Sequence, residues 1–197
     1  MAAINELLTT TEQEPQRRGA FIVLEGLDRS GKTTQVKLME QRFVELGKPV
    51  KTVRFPDRTT LIGQMIDGYL RSNVEMDDHA IHLLFSANRW EAAGNIKALL
   101  ARGVNVISDR YFHSGVVYSA AKGNPALGME GAMQRRVREL FRELGERELA
   151  DGSGEKEVVV LDAGDNVEGV AEAIWEAIKG RVEEVERGER GELKTVV

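Results

Sequence analysis

The feature that most constrains this chain is a glycine-rich segment, residues 26–33, that follows the short apolar run Phe21–Leu24. The run is short enough to be one buried strand. The segment, GLDRSGKT, fits the pattern G-x-x-x-x-G-K-[ST] at every fixed position. Glycines at this spacing let successive backbone N–H groups point into one concavity that binds phosphate oxygens. A chance glycine-rich turn is the alternative, but the preceding strand and the amphipathic helix that follows favour a phosphate loop.

Four side chains of this loop suggest its chemistry. Lys32 can reach the outer phosphates of a nucleotide, and the Thr33 hydroxyl can bind Mg²⁺. The helix that begins near Lys32 adds its positive end at the same place. A cation at Arg29 could lie against a transferring phosphoryl group. Asp28 would disfavour a nearby phosphate, so we expect it to contact a sugar hydroxyl.

The composition narrows the class of protein. A chain of 197 residues with 42% hydrophobic and 30% charged residues is typical of one globular domain. The net charge of −5 argues against a nucleic-acid or membrane partner. The absence of cysteine excludes disulfides and thiolate metal sites, and no apolar run approaches a membrane span. We therefore expect a cytoplasmic protein, with the nucleus also open.

Alternating strand-like and helical segments predict an α/β fold. Strands are predicted at 21–24, 50–55, 104–108 and 158–161, and helices at about 32–46, 61–70, 79–102, 112–122, 133–149 and 167–186. Such alternation indicates a parallel sheet with helices on both faces, whose ligands bind beyond the carboxyl ends of the strands. The motifs follow those ends, at residues 26–33, 55–58, 109–111 and 162–163. We expect flexible tails at 1–18 and 188–197 around one domain at 19–187.

Charged residues after two other predicted strands are candidate ligands. Asp109 ends a strand at the place where phosphate-loop enzymes have a second, acidic Mg²⁺ ligand. The alternative is an ordinary cap of the next helix, and the presence of the phosphate loop favours the role in Mg²⁺ binding. Arg110 follows Asp109 directly and would point towards the same site. Its guanidinium suits a phosphate dianion, and we favour this role over the alternative, a surface salt bridge. Arg58, after Pro56, is either a phosphate ligand or a solvated loop charge, and the spacing does not separate the two.

Phe85 and Arg89 lie four residues apart and share one face of a predicted helix. The ring and the guanidinium could stack on a nucleobase and hydrogen-bond to it. Core packing is the usual explanation for an aromatic residue on such a helix. The residues alone therefore leave both interpretations open.

Taken together, the motifs resemble thymidylate kinases of the eukaryotic type. The resemblance rests on FIVLEGLDRSGKTTQ at 21–35, RFPDR at 54–58, LFSANRWE at 84–91 and DRY at 109–111 with Ser114-Gly115. It covers about residues 20–123 and implies the P-loop NTPase-type fold of nucleoside monophosphate kinases. It also implies a homodimer that uses ATP with Mg²⁺ to phosphorylate dTMP to dTDP for dTTP biosynthesis.

The resemblance implies a role for each matching residue. The implied catalytic residues are Arg29, Lys32 and Asp109, and the implied Mg²⁺ ligands are Thr33 and Asp109. The implied ATP-binding residues are Gly26, Leu27, Asp28, Arg29, Ser30, Gly31, Lys32, Thr33, Thr34, Asp162 and Ala163. The implied dTMP-binding residues are Asp28, Phe55, Arg58, Phe85, Arg89, Arg110, Ser114, Gly115 and Tyr118. In this set Phe85 would stack on thymine and Arg89 would donate to its carbonyl.

The chain departs from the family at one place, near residues 128–133. There the family has several dozen further residues that form a strand beside the phosphate-loop strand, a helix and a mobile lid over ATP. Without them we expect four strands rather than five and an open sheet edge. Two alternatives therefore remain, a nucleotide-binding variant with impaired catalysis and another phosphate-loop nucleoside or nucleotide kinase. Arg58 and Arg110 argue for an acceptor that already carries a phosphate.

Overall fold

The computed structural model describes residues 17–115, 117, 135–143 and 158–190. Along these ranges the elements are β1 (Phe21–Leu24), α1 (Lys32–Glu45), β2 (Val50–Arg54), α2 (Leu61–Leu70), α3 (Asp78–Ala101), β3 (Asn105–Asp109) and α4 (Val167–Glu186). Residues 112–115 and 135–143 are also helical. The predicted bounds of α2 and α4 are confirmed. The rest of the two helices predicted at 112–122 and 133–149, and most of both predicted tails, lie outside the described residues.

The strands form a parallel sheet in the order β1-β3-β2. In the pairing of β1 with β3, Leu24 lies opposite Asp109, and in the pairing of β2 with β3, Arg54 lies opposite the same residue. The carboxyl ends of the three strands therefore meet around Asp109. This edge is where ligands of parallel α/β sheets bind.

The central strand β3 is buried on both faces, as expected for a parallel sheet between helices. Ile107 packs in a cluster with Phe43 of α1 and Val182 of α4. Val106, which points to the opposite face because side chains alternate along a strand, packs with Leu100 of α3. The prediction of helices on both faces is confirmed.

The helix starts differ in a way that bears on function. The side chains of Thr60, Asp77 and Asn166 accept hydrogen bonds from backbone N–H groups in the first turns of α2, α3 and α4. Helix α1 instead begins after Gly31, with no side-chain cap and no acidic residue in its first turn. Its positive end is therefore suited to an anion. In the described ranges, no helix is both long and apolar enough to cross a bilayer.

The strand predicted at residues 158–161 is wrong. These residues form no strand, and Val159 and Val160 are 49% and 72% exposed. A strand needs a neighbour for its backbone hydrogen bonds, which a β-branched run does not itself supply. In the described residues β1 is an edge strand that pairs with β3 alone. Residues of β1 line a cavity of about 710 Å³ together with Leu161 and Ala163, and they form no strand pairing with residues 158–161. The described sheet therefore has three strands, not four.

Candidate active site

The phosphate loop, residues 26–33, links β1 to α1 through residues with positive φ. Gly26 and Gly31 have φ of 144° and 83°, in the region that glycine adopts without steric cost. Arg29 also has a positive φ, 62°, which is uncommon for a residue with a side chain. Non-glycine residues in such conformations concentrate at functional sites, where the surroundings hold them in place.

Lys32 is the cation that this loop holds in place. Its Nζ donates to the backbone oxygen of Leu27 and, at 3.2 Å, to Ser30 Oγ. Burial lowers the pKa of Lys32, and the positive charge of Arg110 lowers it further, while Asp109 is the foremost of the carboxylates that oppose the shift. Two cations that repel each other in this way favour an anion between them.

Asp109 and Thr33 meet at the carboxyl edge of the sheet. Thr33 Oγ1 donates to Asp109 Oδ2 at 2.7 Å, and the Asp109 residue is 4% exposed. A hydroxyl and a carboxylate suit Mg²⁺, which takes oxygen ligands and completes its shell with waters and substrate phosphates. In the part of the chain that the structure describes, no cluster of three or more His, Cys, Asp or Glu residues could hold a metal. The donors present therefore fit a Mg²⁺ bound together with a nucleotide.

Arg110 reaches back from the end of β3 to the phosphate loop. Its Nη1 donates to Gly26 O and to Ser114 Oγ, both at 3.0 Å, and its Nη2 donates to Asp28 Oδ1 at 2.5 Å. The residue has a φ of 71°. A cleft of about 310 Å³ is lined by residues 28–34, Arg54, Asp109 and Arg110. The structure thus brings together the predicted ATP-binding loop and two of the predicted acceptor ligands, Asp28 and Arg110.

The loop formed by residues 55–60 is fastened to α3 by a buried side chain. Asn88 is 1% exposed. Its Oδ1 accepts from Asp57 N at 2.7 Å, and its Nδ2 donates to Asp57 O and Thr60 Oγ1, each at 3.1 Å. Arg58 extends from this 55–60 loop and pairs with Asp67 of α2 at 2.8 Å. The cleft lining includes Arg110 and not Arg58, so the role of Arg58 as a phosphate ligand stays a prediction.

Phe85 and Arg89 are both half-buried on α3. Burial lowers the pKa of Arg89, and the nearby Tyr111 and Glu25 oppose that shift. A Cβ added to Gly115 would lie 3.0 Å from Arg89 Nη1, so the guanidinium packs directly against this glycine. The predicted Arg89 and Gly115 therefore lie in contact with each other, while their contacts with thymine stay predictions.

Other predicted site residues have different surroundings. Phe55 is 5% exposed in the core, with its ring 5.3 Å from that of Tyr111, which leaves little surface for a ligand. Its predicted contact with dTMP remains untested. Asp162 and Ala163 precede α4 in an exposed segment, where Ala163 lines the cavity of about 710 Å³ together with Lys32. Tyr118 lies outside the described residues.

Three residues inside the quoted motifs acquire a role only in the structure. Arg54 ends β2, and its Nε lies 3.7 Å from Asp109 Oδ2. The rule that identified Asp109, a charge at the carboxyl end of a strand, could have found it. Asn88 and Glu25 act through distant backbone groups, and no local pattern reports such contacts.

The site has counterparts in known proteins. A family model described as thymidylate kinase matches residues 24–139, more than half of the chain. Over 108 residues the chain is 56% identical to a thymidylate kinase of Dictyostelium discoideum, an alignment that covers 54% of this chain and 49% of that protein. Over 111 residues it is 47% identical to a thymidylate kinase of Homo sapiens, and this alignment covers 56% of this chain and 52% of that protein.

A solved structure of thymidylate kinase from Candida albicans matches with a TM-score of 0.69 and 28% identity. This match covers 83% of the present chain and 92% of the other. By sequence, the chain spans about half the length of the curated relatives it matches.

Proposed function

The chain belongs to the thymidylate kinase family, and from this premise we propose that it transfers the γ-phosphoryl group of ATP to dTMP and yields dTDP for dTTP biosynthesis. The observation that carries the proposal is the pair of cations in one cleft, Lys32 on the phosphate loop and Arg110 after β3. Transfer between two phosphate groups needs positive charge on both, because phosphoryl transfer depends mainly on positioning and on charge stabilisation.

On the donor side, the loop N–H groups and Lys32 hold the β- and γ-phosphates of ATP. Mg²⁺ held by Thr33 and Asp109 would neutralise charge on these phosphates when bound. The Arg29 side chain is exposed beside the cleft, and it stabilises the charge that develops on the transferring group. An oxygen of the dTMP phosphate forms the new bond to the γ-phosphorus as the bond to ADP breaks.

On the acceptor side, Arg110 and Arg58 bind the phosphate of dTMP, and Asp28 contacts the 3′-hydroxyl. Phe85 stacks on the base and Arg89 donates to its carbonyl. The half-buried state of both side chains supports a binding role, because a partly desolvated guanidinium forms stronger hydrogen bonds to a bound base.

The test is a coupled ATPase assay in which dTMP, UMP and AMP are offered one by one to the full chain. We expect turnover with dTMP to exceed turnover with the other two. Equal turnover of all three would refute the thymine assignment while leaving a phosphate-loop kinase. Turnover of thymidine, offered in a separate run of the assay, rather than of dTMP would indicate a nucleoside kinase.

A second candidate is nucleotide binding without turnover. The observation that favours it is the extent of the sequence match, which spans only about half the length of the curated relatives, together with the edge position of β1 in the described sheet. Calorimetric binding of ATP and dTMP with no product formed would support this candidate. Product formation at any rate that depends on Lys32 would exclude it.

We also propose that the protein is a homodimer, as the family resemblance implies, and that it is cytoplasmic, with the nucleus as the alternative, as its sequence predicts. Sedimentation at several concentrations tests the assembly. A single species with the mass of one chain at micromolar concentration would refute the dimer.

A further inference from the structure

Glu25 stands directly before the phosphate loop, yet its side chain faces the turn after β3. The side chain is 15% exposed. Its Oε1 accepts from Tyr111 N at 2.8 Å and from Ser114 N at 3.1 Å. Its Oε2 accepts from the Ser114 hydroxyl. The carboxylate therefore caps the helical residues 112–115, which begin after Tyr111, two residues beyond Arg110.

The hydrogen bond to Ser114 has a consequence for Arg110. A serine hydroxyl has one proton to donate and lone pairs with which to accept. Because the proton of Ser114 is directed to Glu25, an oxygen lone pair remains for Arg110 Nη1, which donates to Ser114 Oγ at 3.0 Å. The series of hydrogen bonds from Arg110 through Ser114 to Glu25 therefore has a defined direction, with each donor facing an acceptor.

These hydrogen bonds restrain the side of the Arg110 guanidinium that faces the protein. Gly26 O and Ser114 Oγ accept from Nη1, and Asp28 accepts from Nη2. The Arg110 side chain is 16% exposed, so its orientation depends on these fixed partners more than on water. Glu25 also lies near enough to Lys32 and Arg89 to favour the charged form of each.

We propose that Glu25 is a positioning residue that acts through Ser114 to aim Arg110 at the phosphate of the acceptor nucleotide. This inference rests on the proposed function, in which Arg110 binds the dTMP phosphate. Glu25 itself touches neither substrate. A purely structural alternative is that Glu25 only joins β1 to the turn after β3, in which case its loss would affect every ligand of the acceptor site equally.

The substitution Glu25→Gln separates these roles because it keeps the shape and size of the side chain. The amide oxygen of glutamine can still accept from Tyr111 N and Ser114 N. Its NH₂ group, however, donates to Ser114 Oγ, so the serine proton loses its carboxylate acceptor and one lone pair of the oxygen is taken. The hydroxyl is then no longer oriented to accept from Arg110. We expect the affinity for dTMP, measured by calorimetry, to fall about tenfold, as for one lost hydrogen bond to a charged group.

Thymidine is the probe that makes this result specific. It has the base and sugar of dTMP but no phosphate, so we expect its affinity to be the same in Glu25→Gln and in the unsubstituted protein. The control variant Glu176→Gln, which loses a carboxylate on the exposed surface of α4, should leave both affinities unchanged. Equal losses for dTMP and thymidine would overturn the positioning role and support the structural alternative.

Ser114→Ala provides a second and independent test. It removes the hydroxyl through which Glu25 acts, so Glu25→Gln should add little to it in the double variant. Additive losses for dTMP would overturn the inference. This variant also keeps the inference testable if Glu25→Gln unfolds, because Ser114→Ala should weaken dTMP and spare thymidine.

A crystal structure of Glu25→Gln distinguishes failure of this inference from failure of the proposed function. If the unsubstituted protein binds no dTMP, the proposed function is refuted, but the orientation of Arg110 can still be compared. We expect the Arg110–Ser114 hydrogen bond to be lost in the variant. An Arg110 side chain with all its contacts unchanged would overturn the inference.

Discussion

The phosphate loop and the 55–60 loop hold their functional groups by different means. The phosphate loop depends on the backbone conformation of consecutive residues, with Gly26 and Gly31 at positive φ between β1 and α1. The 55–60 loop depends on Asn88, a buried side chain 31 residues away from Asp57 along the chain. In the proposed function, the half of the site that binds the phosphate donor is therefore local in sequence, and the half that binds the acceptor is assembled by distant polar contacts.

This difference predicts different consequences of substitution. A substitution in the phosphate loop removes positive charge that lies beside the reacting phosphates, so it should lower the rate of phosphoryl transfer. A change in the supports of the acceptor half should leave the chemistry intact while weakening dTMP binding and the folded state. Four substitutions or conditions test this contrast, beginning with the one expected to have the largest effect.

Lys32→Met should lower kcat/KM about 1,000-fold, because it removes a preorganised charge from the transition state. The steady-state rate of the coupled assay measures the loss. Affinity for dTMP, measured by calorimetry, should not change, because Lys32 serves the donor half. Lys37→Met, an exposed position on α1, is the matched control and should retain full activity. A loss of less than about tenfold for Lys32→Met would contradict the role of this charge in the transition state.

Asn88→Ala should affect both stability and acceptor binding. It leaves partly buried backbone groups of Asp57 unpaired, so the free energy of unfolding should fall by about 1–2 kcal/mol in urea titrations. The KM for dTMP should rise about tenfold as the 55–60 loop loosens, while the KM for ATP stays constant. Asn95→Ala, exposed on the same helix, should change none of these quantities. A rise in the KM for ATP as large as that for dTMP would show that the two halves are not independent.

The same contrast explains how much of the fold and of the candidate site can be predicted from the sequence alone. The phosphate loop, the bounds of α2 and α4, and Asp109 at a strand end follow from patterns in adjacent residues. The strand predicted at 158–161 failed because pairing depends on a neighbouring strand, which local composition does not reveal. The role of Asn88 could not be predicted because it exists only once the 55–60 loop lies on α3.

Gly115→Ala should have a smaller effect on the acceptor half. The added methyl group would lie 3.0 Å from Arg89 Nη1, and the guanidinium must shift to accommodate it. We expect the KM for dTMP to rise about threefold, as for a weakened hydrogen bond, with kcat unchanged. Gly94→Ala is the control, since a Cβ at that position of α3 meets nothing within 4 Å. It should leave the kinetics unchanged and stabilise the helix by about 0.5–1 kcal/mol. An unchanged KM in Gly115→Ala would indicate that Arg89 does not contact dTMP.

The smallest expected effect is on the pH dependence of kcat, which tests Lys32 in the donor half of the site. Burial and Arg110 hold the pKa of Lys32 below its ordinary value of 10.5. A lowered pKa means that the ammonium loses its proton at a lower pH than a free lysine does. The rate should therefore fall as the pH rises through that lowered pKa, at saturating ATP and dTMP, with product measured directly by chromatography.

Lys32→Arg identifies the group responsible for this alkaline loss. A guanidinium stays protonated throughout the alkaline range, so the variant should lack the alkaline fall even if its rate at neutral pH is reduced. Ionisation of the nucleobase affects both proteins equally and cannot produce a difference between them. Replacing Arg110 by Met should shift the fall to higher pH, because removing a like charge favours the protonated form of Lys32. The same alkaline fall in Lys32→Arg as in the unsubstituted protein would assign the titration to another group and separate the charge of Lys32 from catalysis.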